Sequence, residues 1–224
     1  MCTKSISKIV KHKALRGGAI NSPKLLQLSG IGPGELLQQH GITVKHNNAH
    51  VGENLQDHLG GDMICKSTVP TLNQQLHPWY GKLRAGLKFL LARKGPLTLS
   101  LNQAGGFVKT HPDLDMPDIQ LYFSPVSYTR APVGTRPLIN PDPFPGFMIG
   151  YNPCKPTSLG SVHIGSANPG DAPVMNPNYL DTQEDKQTML AGFKLVRQIA
   201  AAPALSSVID SEVYPGEHVQ TDDD

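Results

Sequence analysis

The sequence predicts a chain of mixed helices and strands, on three observations. Two stretches carry apolar residues at helical spacing: 78–93, with Trp79, Leu83, Leu87, Leu90 and Leu91, and the stretch after Asp181, with Met189, Phe193, Val196 and Ile199. Short alternating or apolar runs at 61–68, 118–124, 147–151 and 160–166 read as strands. Glycine (22) and proline (20) exceed average usage and are spread along the chain, which marks many turns rather than low complexity.

At 224 residues the chain can bury a sizeable core in one or two domains. Its net charge of +2 gives no electrostatic argument for nucleic acid or an anionic membrane. Cys2, Cys65 and Cys154 are far apart and form no CxxC pair. A disulfide framework or zinc site is therefore not expected, and a reducing, cytoplasmic setting is the default. No apolar run approaches the ~20 residues of a membrane span. Residues 1–13 are basic but lack the apolar region of a secretory signal.

In chain order, Lys4, Lys8, Lys11, Lys13 and Arg16 interrupt residues 1–16, leaving Ile9, Val10 and Leu15 as the expected buried positions. Residues 18–32 then read as a loop, a short helix and a tight turn. Ser22 is the expected helix cap and Pro23 suits the first turn, where its missing N–H costs nothing. Leu25, Leu26 and Leu28 supply apolar contacts, and Gly30 and Gly32 stop the helix. A helix start fed by Gly17 and Gly18 presents free N–H groups and a partial positive charge, which suits a phosphate or another electron-rich ligand. On these local features alone, an ordinary capped helix beside a turn is the simpler account.

Pro33–His40 reads as a second short helix with Glu35 near its start, ended by Gly41 and followed by a short strand at Ile42–Val44. Asp57 and His58 are adjacent and invite an acid–base reading. Neighbours in an extended segment point to opposite sides, so a structural hydrogen-bonding role is expected for them instead. The apolar repeat of 78–93 reads as core contacts, and Gly95–Pro96 ends that helix. In 118–124, Ile119, Leu121 and Phe123 share one face. The Pro-rich stretch from Pro125 to Pro145 is a long connection, read as a lid or as an insertion. Asp181 is the expected cap of the last long helix, with Glu184 in the capping-box position.

Several of these strings together resemble the glucose–methanol–choline (GMC) oxidoreductases, nearest to the choline-dehydrogenase-like branch. Gly18-Ala19, Ser22-Pro23, Leu25-Leu26 and Ser29-Gly30-Ile31-Gly32 resemble that family's second signature. Val51-Gly52-Glu53-Asn54-Leu55-Gln56-Asp57-His58 resembles its VGxNLxDH segment, and Gln103–Lys109 the strand that enters its substrate domain. Cys154–Gly160 is similar to a basic-Pro-x-Ser-Arg-Gly turn, with Leu159 in place of the Arg, and Asn176–Leu180 also fits.

The resemblance implies an α+β fold: an antiparallel sheet backed by helices (61–224, the substrate-binding domain), with a remnant of the FAD-binding domain at 1–60. It implies FAD as cofactor and an alcohol as the small-molecule substrate, oxidised by hydride transfer to the flavin. Gly17, Gly18, Asn21, Ser22 and Pro23 are the candidate flavin contacts. Gln103, Tyr122 and Phe123 are the candidate pocket wall. No catalytic residue and no metal ligand is assigned. The family's GxGxxG fingerprint and its catalytic His segment have no counterpart here, so the expectation is an inactive fragment that starts inside a longer gene. Residues 17–58 would then be partly uncovered, leaving Leu25, Leu26, Leu28, Leu36 and Leu37 as an apolar patch. A non-catalytic product or binding module that keeps the fold is the alternative, and a lyase of the same family a third reading. A homo-oligomer stays open.

Overall fold

The computed structural model describes residues 17–128 and 140–223. The expected buried positions in 1–16 and the middle of the Pro125–Pro145 connection lie outside the described residues. In chain order the elements are α1 (Gly18–Leu28), β1 (Ile31–Gly32), α2 (Gly34–Gln39), β2 (His46–Asn47), β3 (Glu53–Leu55) and β4 (Gly61–Ser67). Next come α3 (Leu72–Leu76), α4 (Trp79–Ala92), a 3-10 turn (Pro96–Thr98), β5 (Ala104–Val108), β6 (Ile119–Ser124) and β7 (Gly146–Pro153). The chain ends with β8 (Gly160–His163), β9 (Val174–Asn176), α5 (Gln183–Ala201), α6 (Pro203–Ser206) and β10 (Ile209–Tyr214). The mixture of helices with antiparallel sheet agrees with the α+β expectation.

These residues form two compact units, one from the chain up to Asp57 with Ser158–Asp181, the other from His58–Thr157 with the chain from Thr182 onward. A single cut near residue 60 therefore needs correction, because Ser158–Asp181 returns to the first unit. There β8 pairs with β3 on one side and β9 on the other, which ties that segment in by sheet hydrogen bonds.

In the first unit, α1 begins before its expected cap. Gly17 is the N-cap position, and the Ser22 hydroxyl accepts from the Gly17 N–H at 3.1 Å. Pro23 sits inside the helix and has no N–H to return to the Ala19 carbonyl. The leucines of α1 are not its most buried residues. Gln27 is fully buried, whereas Leu25 is 44% exposed. On α2, Leu37 is also fully buried, so it does not belong to an uncovered patch. The strand expected at Ile42–Val44 is displaced to His46–Asn47. The Gly30 carbonyl accepts from both Lys45 N–H (2.8 Å) and His46 N–H (3.1 Å), and this sets the parallel register with Ile31–Gly32.

The second unit is a five-stranded antiparallel sheet in the order β10-β4-β7-β6-β5. One face carries Met63 and Cys65 of β4, Ile119 of β6, and Phe147, Ile149 and Tyr151 of β7, packed against Val196 and Ala200 of α5. The central strand β7 is buried at every position. Helix α5 starts one residue later than expected: Thr182 is its cap, its hydroxyl accepting from the Asp185 N–H. The Asp181 N–H instead donates to Ser158 Oγ at 3.0 Å. Edge strand β10 was not expected from the sequence. Arg197 of α5 holds it, donating to both carboxylate oxygens of Glu212 (3.0 and 2.8 Å) and to the Val219 carbonyl (2.7 Å).

Helix α4 forms where its periodicity places it, but its apolar repeat is not core. Trp79, Leu83, Leu87, Leu90 and Leu91 are all exposed, and Ala85 is its only buried residue. Both described ends of the Pro-rich connection are tied down. Asn73 accepts from the Ser127 N–H at 3.0 Å, and the Ser127 hydroxyl donates to Asp142 at 2.7 Å. Among the described residues, no helix is long and apolar enough to cross a membrane.

Candidate functional site

Two places gather the residues singled out in the sequence, one in each unit. The first is a cleft of about 410 Å³ in the first unit, walled by Ala19 and Pro23 of α1, by residues 52–56 and by Val162. Helix α1 has no side-chain cap hydrogen bond and no acidic residue in its first turn. Its N-terminal N–H groups and partial positive charge are thus not neutralised by its own side chains. Gly18 has φ +74°, and nothing lies within 4 Å of where its Cβ would stand. Of the five candidate flavin contacts, Pro23 lines the cleft itself; Gly17, Gly18, Asn21 and Ser22 form the turn at the helix start.

The cleft wall is held in shape by Gln27. Its Nε2 donates to the carbonyls of Val51 and Val162, both at 3.1 Å, and its Oε1 accepts from the Ile164 N–H at 2.8 Å. Gly52 closes against this arrangement at φ +99°. A Cβ there would collide with the Val162 carbonyl and stand 2.6 Å from Gln27 Nε2. Asn54 follows at φ 60°, a left-handed conformation that asparagine adopts more readily than most residues. Sequence reasoning did not select Asn54 as a site residue, although it lies in the VGxNLxDH-like segment that flagged the region. Nearby, His163 Nε2 pairs with Glu53 Oε1 at 3.0 Å.

Asp57 and His58 have separate partners, as their adjacency in an extended segment suggests. The Tyr179 hydroxyl donates to Asp57, and this hydrogen bond, ahead of burial and the carboxylate charge, raises the phenol's pKa. Asn152 Nδ2 lies 3.0 Å from His58 Nδ1, so the amide donates to the ring nitrogen. That nitrogen is therefore engaged in holding structure.

The second place is the sheet face of the second unit that points away from the α5 core. The register aligns Asp62, Gly150, Tyr122 and Gly105 in one row across four strands. The Tyr122 ring lies over Gly150, where any Cβ would overlap it. Burial pushes the Tyr122 phenol up to about 12, helped by the charge of Asp62, by Tyr128 and by a hydrogen bond to Asp62. Burial and the Asp62 charge also raise Tyr128. Tyr122 is thus a protonated phenol held beside a carboxylate.

Phe123 needs correction as a pocket residue. It faces the other way, its ring 5.4 Å from Phe147 in the core cluster. The pleat separates Tyr122 from Phe123, because successive side chains of a strand leave opposite faces. Gln103 is exposed, and its backbone N–H donates to the Phe123 carbonyl at 2.9 Å. It precedes β5, whose alternation carried back one residue puts Gln103 on the same face as Gly105 and Tyr122. Asp62 was missed by the sequence reading. The available signal was an acid in the apolar run Gly61–Ser67, at a position alternating with Met63 and Cys65.

Among the described residues, no group of three or more His, Cys, Asp or Glu is placed to hold a metal ion. Family models described as GMC oxidoreductase match residues 3–60 and 156–224. The chain is 36% identical over 208 residues to an alcohol dehydrogenase [acceptor] of Pseudomonas putida, covering 92% of this chain and 37% of that protein. It is 37% identical over 216 residues to the mitochondrial choline dehydrogenase of Homo sapiens, covering 95% of this chain and 35% of that protein. The chain thus spans little more than a third of the length of the curated relatives it matches. Its fold matches a formate oxidase crystal structure with a TM-score of 0.76 at 23% identity, over 89% of this chain and 38% of that one. It also matches pyridoxine 4-oxidase from Mesorbium loti with a TM-score of 0.67 at 23% identity, over 89% and 34%. From the signature strings at both ends to the sheet between them, the chain belongs to the GMC oxidoreductase family.

Proposed function

We propose that this chain is part of an FAD-dependent oxidoreductase that acts on the CH–OH group of an alcohol. The observation that carries the reading is the similarity to alcohol and choline dehydrogenases along nearly the whole chain. The first unit suits one end of the flavin dinucleotide. Its cleft has room for one moiety, and the start of α1 offers N–H groups to electron-rich atoms without a competing carboxylate. Gly17, Gly18, Asn21, Ser22 and Pro23 shape that start, and Asn54 lines the opposite wall. Pro23 leaves the Ala19 carbonyl without its usual helical donor, which adds an acceptor beside these donors.

When bound, FAD supplies the two-electron acceptor for the hydride that leaves the alcohol carbon. The second unit supplies the pocket wall, through Gln103 and Tyr122. At neutral pH the Tyr122 phenol stays protonated and gives its proton to the bond with Asp62. A phenol oxygen that donates its proton keeps lone pairs able to accept from a substrate hydroxyl, which would fix orientation without taking the proton.

The test titrates FAD with the purified chain and follows flavin fluorescence. Saturable quenching that is lost in Gly18→Val is expected, because a β-branched residue resists the positive φ of Gly18. Emission that stays at the level of free flavin at every protein concentration overturns the flavin assignment to the first unit.

A further inference from the structure

Helix α4 turns its apolar side outward. At 100° per residue, Trp79, Leu83, Leu87, Leu90 and Leu91 fall in one arc of about 120°. Trp79 is 75% exposed, Leu90 68% and Leu91 85%. The helix rests on the opposite side, through Ala85. Lys82 borders the arc on one edge, and Arg84 and Lys88 on the other. After the helix, Leu97 and Leu99 extend the exposed apolar surface.

The charge of this region has one sign. Between Asp62 and Asp113 the chain holds seven Lys and Arg and no Asp or Glu. The whole-chain balance of +2 conceals this, because the acids lie elsewhere in the sequence. Among the described residues, Lys82, Arg84 and Lys88 form no ion pair; Lys82 instead reaches Asn140 at 3.0 Å. Arg84 and Lys88 also line a cavity of about 480 Å³ with Gln74 and Tyr80, room enough for a phosphate headgroup.

An exposed apolar arc, cations along both edges and an indole at one end have the chemistry of a helix that lies in a lipid interface. We propose that the outward face of α4 docks on an anionic lipid surface. The helix would lie along the headgroups, since its 14 residues reach about 21 Å and cannot span a ~30 Å hydrocarbon core. A second copy of the chain is the poorer occupant, because a two-fold contact through this face would set cations against cations. The inference stands apart from the proposed activity, and its test needs no turnover.

Trp79 is the only tryptophan of the chain, so intrinsic emission reports this face directly. The chain is mixed with vesicles of phosphatidylcholine, alone or with phosphatidylglycerol. The expected result is a blue shift with phosphatidylglycerol, absent with phosphatidylcholine alone, weakened by salt and quenched by bromine-labelled acyl chains. Replacing two cations, Arg84→Gln with Lys88→Gln, is expected to weaken binding roughly 30-fold. Leu90→Gln with Leu91→Gln, two exposed positions, is expected to remove the shift while the fold's circular dichroism stays unchanged. Three results overturn the proposal. One is no shift with anionic vesicles, and another is an equal shift on neutral ones. The third is a shift that follows protein concentration without lipid, which assigns the face to self-association.

Discussion

Gln27→Leu is the sharpest test of how the first unit holds its cleft. The substitution keeps the approximate volume of a fully buried side chain and removes all of its hydrogen bonds. Three backbone groups lose a partner: the Val51 and Val162 carbonyls and the Ile164 N–H. The bonds to Val162 and Ile164 are fully buried, while that to Val51 is only part-buried. At about 1–3 kcal/mol for each buried group left unsatisfied, the two enclosed groups set a cost of roughly 2–6 kcal/mol. Burying leucine in place of an amide returns part of this, so a net loss of about 2–4 kcal/mol is expected. Gln27→Glu is expected to do worse, because a carboxylate cannot donate to two carbonyls. Urea unfolding gives the loss, and amide hydrogen exchange at Ile164 locates it. A loss below about 1 kcal/mol together with an Ile164 amide that stays protected would refute the reasoning, since water or a shifted backbone would then replace the glutamine at little cost.

The remaining predictions address the second unit. Cys65 and Tyr151 are buried and pushed up to about 12, from 9.0 and 10.0, first by burial in each case. Folded pKa values above the unfolded ones leave their contribution whole below pH 9 and remove it as pH rises towards 12, so urea midpoints should fall across that window; a flat profile counts against it. Arg197→Met strands the Glu212 carboxylate, whose side chain is 11% exposed, and should cost about 2–4 kcal/mol while β10 amides lose protection from exchange. In a longer protein that carries this segment, Gln103→Glu should raise kcat/KM for choline relative to a neutral alcohol of similar size. An unchanged ratio removes Gln103 from the pocket.

Elements with strong period were legible in the sequence, and their partners were not. The runs at 61–68, 118–124 and 147–151 each became a strand because alternation or continuous apolarity reports burial directly. Strand β10 was missed because its residues, Ile-Asp-Ser-Glu-Val-Tyr, carry two acids. One of them, Glu212, is neutralised by Arg197 from a helix fifteen residues away, and no local pattern announces that pairing. Helix caps failed for a related reason. Ser22 and Asp181 have the right chemistry for a cap, but Ser22 lies inside α1 and its hydroxyl accepts from the Gly17 N–H, while Thr182, one residue after Asp181, caps α5.

The candidate site was legible where the family strings fix the backbone, and blurred where function depends on which face a side chain leaves. Tyr122 and Phe123 are neighbours in sequence, yet a strand sends neighbours to opposite faces. The alternation of Ile119, Leu121 and Phe123 places Phe123 on the core side and Tyr122 on the face opposite. The same step applied to β4 groups Asp62 with Ile64 and Lys66, away from Met63 and Cys65. On α4 apolar periodicity does not coincide with burial. Periodicity states only that one side of a helix is apolar; the flanking charges help to say what that side meets. This stripe is bordered by cations alone, in an acid-free run of fifty residues, the pattern of a basic amphipathic helix that meets a surface rather than a core. The sign of the border was therefore the available clue that this stripe faces outward.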